Sequence, residues 1–264
     1  MEHILKWTDP GADQRRLFYY MEGCQLNSYC WAWAISGVVL VVLTIVLGLC
    51  TEAKSVLGIL VDGRGRTSLT HFQLTMWTVC VLSLISGVFW GRLLSGVDRP
   101  LEFDIPTEVI GLMGIAVGSA VATTIAKSAK DNDPEACARI AVPRDGEKPK
   151  LAQIFLLEEG TAADEVIDIT KFQNFVITVF LGAAYTAVAV HAMGMANPNV
   201  ESLPGLDAQL LSLLGISHAG YVAGKMPKRS GAPDGHKTLA DRIEREQSGS
   251  ATTSTTTGGK DATG

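Results

Sequence analysis

Apolar residues in this chain come in long uninterrupted runs, with the polar residues gathered between them. Uncharged stretches cover Trp31 to Cys50, Phe72 to Gly91, Val109 to Ala126, Phe172 to Met193 and Ala208 to Gly224. A helix crossing the hydrocarbon core of a bilayer needs about 20 such residues, with about 17 the short limit. The pattern therefore predicts an all-α membrane protein with five transmembrane helices. The fifth is the shortest and carries His218, so by itself it also reads as a buried core helix.

The chain also repeats itself. Thr67-Ser68-Leu69-Thr70-His71-Phe72-Gln73 returns one hundred positions later as Ile167-Asp168-Ile169-Thr170-Lys171-Phe172-Gln173, each time opening an apolar run. Leu112-Met113-Gly114-Ile115 is answered by Leu213-Leu214-Gly215-Ile216. The reading is a duplication. It divides the chain into an outer segment 1–30, a first helix 31–50, repeat 1 over 67–127, a loop 128–166, repeat 2 over 167–225 and a tail 226–264. Each repeat is a helical hairpin (72–91 with 109–126, and 172–193 with 208–224). Two such parallel hairpins predict a pseudo-twofold four-helix bundle, with the N-terminal span beside it. Inverted repeats with helices broken at mid-membrane are not what this pattern shows.

Charge sets the orientation. Five spans leave the segments 51–71, 127–171 and 225–264 on one side, and these hold 17 of the 22 Lys and Arg residues. The positive-inside tendency makes that side cytoplasmic, with the N-terminus outside and the C-terminus inside. Against 27 Asp and Glu, the basic residues form no field for nucleic acid.

Local chemistry refines the picture. Thr70-x-x-Gln73 and Thr170-x-x-Gln173 fit a capping box, in which the Thr hydroxyl and the Gln side chain satisfy amides at a helix start; lining of a polar path by the glutamines is the alternative. Gly114, Gly118 and Ala122 recur every fourth residue in the third span, and Gly215, Ala219 and Ala223 do so in the fifth. Small residues at that spacing let helices approach closely, so both stripes are read as packing seams. His218 is the ionisable group deepest in a span and Glu108 sits at an outer helix start; these two are the candidates for a functional role. No nucleophile, metal or dinucleotide motif is present, so no catalytic residue, metal site or cofactor is expected. Cys24 and Cys30 leave an outer disulfide open. From Ser230 onward, Ser, Thr and Gly dominate around one possible helix at Leu239 to Gln247, which reads as a flexible tail.

Ser68-Leu69-Thr70-His71-Phe72-Gln73 through Trp77-Thr78, and Leu213-Leu214-Gly215-Ile216-Ser217 through Tyr221 and Lys225, resemble a loose group of uncharacterised bacterial multi-pass membrane proteins. Their motifs run S-L-S/T-x-F-Q and L-x-G-I-S. The resemblance covers residues 60–225, departing at Ala116 and Ala120, and implies a bacterial cytoplasmic membrane. The expected function is a non-enzymatic membrane anchor or scaffold; the alternative is a small oligomeric channel or transporter. The partners this leaves are the lipid bilayer, a second copy of the chain, and a cytoplasmic protein meeting loop 128–166 or the tail.

Overall fold

The computed structural model describes residues 28–51, 54–144, 146–195, 200–235 and 237–254. Four helices are long and apolar enough to cross a membrane: α1 (Ser28–Cys50), α2 (Leu69–Leu94), α3 (Thr107–Asp131) and, after a four-residue α4 (Pro134–Cys137), α5 (Ile169–Met195). Each extends past its uncharged run, because a helix keeps its hydrogen-bond ladder into the polar boundary. At about 1.5 Å per residue, α2 is roughly 39 Å long, more than the hydrocarbon core requires. The remaining bundle helix, α6 (Ala208–Lys225), is shorter and more polar and is not among the four.

Helix α2 packs on α3 and α5, and α6 packs on the same two. The four stand at the corners of a ring in the order α2, α3, α6, α5. This arrangement overturns the expected pseudo-twofold. A twofold axis along the helices exchanges corners across a diagonal, whereas the sequence-related pairs α2/α5 and α3/α6 are side neighbours. The two hairpins therefore stand side by side in the same sense. Trp77, Leu84, Val88, Leu112, Leu181, Tyr185 and Leu214 fill the space between them.

The tightest helix contact lies elsewhere than expected. Helix α1 runs antiparallel along α2, laying Tyr29, Trp33 and Gly37 against Gly91, Gly87 and Ser83. A Cβ at Gly87 would fall 2.7 Å from Trp33 Cβ, and one at Gly91 would overlap the Tyr29 ring. The hydroxyls of Ser36 and Ser86 bond across the same seam at 3.0 Å. By contrast, a Cβ at Gly114, Gly118 or Gly220 would meet nothing within 4 Å. Gly114, Gly118, Ala219 and Ala223 are exposed and Ala122 is half-buried, so these stripes are not the intramolecular seam. Gly215 alone makes an ordinary contact, with Ile115 at 3.6 Å. A four-residue spacing marks a helix face without saying which neighbour it meets.

At the end where α2 and α5 finish, Arg92 ties the connections together. The guanidinium of Arg92, a residue only 7% exposed, donates to the carbonyls of Val200 (2.7 Å), Glu102 (2.9 Å) and Arg99 (3.2 Å). Asp104 and Ser202 bridge the same two loops.

The opposite end carries a compact cap. A 3-10 turn (Gly58–Leu60) and a turn at Asp62–Arg66 lead into α2, and a second 3-10 turn (Leu151–Ile154) leads into α5. The phenyl ring of Phe155 packs on Phe172 and Phe175, an aromatic collar under the helix starts. The tail is not loose over its described part. Strand β2 (Lys237–Thr238) pairs antiparallel with β1 (Ala141–Val142), and α7 (Leu239–Ser254) follows, seating Leu239, Ala240 and Ile243 on Cys137, Ile140 and Val142. The physical reason is burial: the apolar run around Ile140 needs a cover, and Leu239 and Ile243 supply it.

Candidate functional site

Helices α3 and α6 end, and helices α2 and α5 begin, at the cap. This brings Lys127, Lys171 and Lys225 together from three helices around one carboxylate, Glu158, supplied by the turn after the Leu151–Leu157 run. Glu158 Oε1 accepts from Lys225 at 2.6 Å and Lys171 at 2.8 Å. Its Oε2 faces Arg64 at 3.5 Å and Lys127 at 3.6 Å. Lys127 is shared with Asp62 at 2.6 Å, and Arg64 with Asp131 at 2.7 Å. Two further pairs flank the hub: Lys130 with Glu159 at 2.8 Å, and Arg66 with Asp164 at 2.6 Å.

Glu158 is 6% exposed and Lys171 1%, so these charges have left water and rely on one another. Burial alone pushes the Glu158 carboxyl up. Lys127, Lys171 and Lys225 more than reverse that, holding it well below its ordinary 4.5. Asp62 follows the same balance: burial raises it, and Lys127 with the Arg66 amide brings it below its usual value despite Glu158 nearby. For Arg64, desolvation works against the charge and Glu158 and Asp131 outweigh it, keeping the guanidinium cationic.

A second polar layer lies deeper between the helices. Gln73 donates to Thr178 Oγ1 at 2.8 Å and meets His218 Nε2 at 3.5 Å. His218 Nδ1 pairs with the Ser119 hydroxyl at 2.7 Å. Ser217 donates to Asn174 at 3.1 Å, and Thr70 bonds Tyr221 at 3.2 Å. All four helices of the ring contribute, and these groups are bonded side chain to side chain, as a low-dielectric interior favours, except that the Asn174 Nδ2 amide has no partner among the described residues.

This layer corrects the capping assignment. Helix α2 starts at Leu69 with Ser68 as its cap residue and no side-chain cap bond, so Thr70 and Gln73 lie inside the helix, facing its neighbours. In α5 the cap is Asp168, which accepts from the Thr170 amide at 3.1 Å and also binds the Thr170 hydroxyl. Gln173 is exposed, and Asn174 is the side chain buried where Gln73 is buried in α2. The burial register of the second helix is thus one residue off the sequence match.

The other candidates separate. His218 joins the polar layer. Glu108 stays half-buried at the far end, in the first turn of α3 and near Gly205, away from both clusters. Cys24 lies outside the described residues, and with it the Cys24–Cys30 pairing. Among the described residues, no group of three or more His, Cys, Asp and Glu side chains is placed to hold a metal ion. The ion cluster itself went unpredicted. Its signal was a lysine at the same end of three spans and an acidic pair, Glu158-Glu159, directly after an apolar run.

Comparison of the chain with family models, with curated proteins and with solved structures gives no match.

Proposed function

We propose that this protein is a membrane anchor or scaffold, whose bundle crosses a bacterial cytoplasmic membrane and carries a rigid cap on its cytoplasmic face. The observation that carries this reading is the Glu158 hub. It fastens the cap to α3, α5 and α6 through buried ion pairs, giving a platform fixed to the membrane instead of one hinged on it. The orientation rests on the positive-inside count, with the N-terminus outside, α6 as a fifth crossing and the C-terminus inside. Supporting that crossing, α6 runs beside α3 and α5 and ends at Lys225, level with the start of α5.

A second reading, a small oligomeric channel or transporter, is favoured by the Gln73, His218 and Ser119 layer, since polar groups between spanning helices are a common feature of pathways. The outward stripe of Gly114 and Gly118 would suit contact with a second copy. Flux of monovalent ions into liposomes holding the purified protein separates the two. The scaffold reading expects leakage no higher than protein-free vesicles; selective flux lost in His218→Leu or Glu108→Ala would replace it with the channel. Impermeant thiol labelling of spheroplasts should reach a cysteine placed at Asn27 and not one at Ser230.

A further inference from the structure

Beside the ion cluster, a pocket of about 260 Å³ opens between the start of α2 and the end of α3. A water needs roughly 10 to 15 Å³ of such space, so this volume suits a small polar group. Three observations point to what it takes. The first is the amide end of α2, which faces the pocket through Ser68, Thr70 and His71. Ser68 makes no side-chain cap bond, and the amides of Leu69, Thr70 and His71 have no acceptor among the described residues. Such an end favours an anion.

The second is independent of the helix end. Thr123 lines the pocket, is 2% exposed, and its hydroxyl has no hydrogen-bond partner. A buried hydroxyl left this way costs about 1 to 3 kcal/mol unless a ligand completes it. The third is the charge pattern. Lys127 and Arg64 line the inner wall together with Asp62, which holds Lys127 at 2.6 Å, and the Asp131 carboxylate, which holds Arg64 through Oδ1 and is 38% exposed, stands at the rim. An anion site with a carboxylate at its mouth fits a zwitterion better than a bare phosphate.

We infer that this pocket binds a phosphate ester bearing a primary ammonium, the phosphoethanolamine headgroup. The phosphate sits against the α2 amides, Thr123 and Lys127, and the ammonium against Asp131. The pocket lies where two spanning helices leave the apolar zone, the depth of a lipid headgroup, and to that extent the lipid source rests on the membrane reading.

The test uses the full chain, delipidated in detergent and examined by native mass spectrometry with phosphatidylethanolamine, phosphatidylcholine and phosphatidylglycerol. Phosphatidylethanolamine should bind about tenfold more tightly than the other two, the effect of one charge-assisted hydrogen bond. Thr123→Val should weaken it by a similar factor while leaving lipid-free thermal stability unchanged or higher, and Ser68→Ala serves if that variant expresses poorly. Soluble O-phosphoethanolamine that protects the protein as well as the lipid does would support the same chemistry with a soluble source. Equal binding of all three lipids, or unchanged binding in both variants, would overturn the site. A chain that stays monodisperse without detergent would instead overturn the membrane reading, and the soluble ester still tests the pocket.

Discussion

Lys225 Nζ lies 2.6 Å from Glu158 Oε1, closing the end of α6 onto a turn 67 residues earlier in the chain. The same oxygen receives Lys171 at 2.8 Å, so two lysines share one carboxylate oxygen with little access to water. Removing that carboxylate strands both lysines. Breaking a buried pair from one side costs about 3 to 5 kcal/mol, and Glu158→Gln should lower the thermal midpoint of the detergent-solubilised protein accordingly. Glu159→Gln, which strands only Lys130 beside the Pro227 carbonyl, should cost less. Equal midpoints for wild type and Glu158→Gln would remove the hub from the account.

The hub also fixes a pH dependence. Because the folded-state value of Glu158 is depressed, its contribution is complete above the ordinary 4.5 and is lost as pH falls through the lower folded value. Asp62 shifts the same way. The difference in thermal midpoint between wild type and Glu158→Gln should stay level from neutral pH down to about 5, then shrink in stronger acid. Glu158→Gln should start lower and show a shallower acid fall, measurable by dye-free thermal scans across pH.

Gly87→Ala should separate α1 from α2, since the new methyl would lie 2.7 Å from Trp33 Cβ. Overpacking of this kind costs about 1 to 3 kcal/mol. Gly114→Leu and Gly118→Ala should be tolerated in the same assay, because nothing stands against either position. A reversed order of tolerance would restore the stripe in α3 as the seam.

Gln73→Ala and Thr178→Ala should each lower stability by about 1 to 3 kcal/mol, the cost of a buried partner left unmatched. The double variant should cost less than the sum. Full additivity would mean the 2.8 Å bond contributes nothing.

Leu239→Ser should lift α7 from its seat. The readout is Cys137, 3% exposed beneath that helix, whose labelling by a thiol reagent in permeabilised cells should rise severalfold. Unchanged labelling would detach the tail from the cap.

What the sequence disclosed and what it hid follow from range. The long helices were readable because apolarity is a property of consecutive residues, and α1 to α3 and α5 appear where the runs lie. The hub was not, because Asp62, Glu158 and Lys225 meet only after the whole chain is arranged, and Lys127, Lys171 and Lys225 already count toward the expected inner side. Gly87-x-x-x-Gly91 was as visible as the stripe in α3 and better placed, but spacing alone does not choose between two faces. Thr70 and Gln73 matched a cap pattern, and a helix starting two residues earlier, with Ser68 as its cap residue, turned them into interior groups. The tail misled because its composition is polar on average, while Leu239 and Ile243 alone suffice to cover Ile140.

The clamp at Arg92 limits how the far surface can move. One side chain holds the carbonyls of Arg99 and Glu102, after α2, and of Val200, ahead of α6, so these three points of the chain are tied to one guanidinium. Any rearrangement of these points must carry them together or give up partners of a buried guanidinium. A ligand or partner meeting that side at Arg99, Glu102 or Val200 would therefore find a preformed surface.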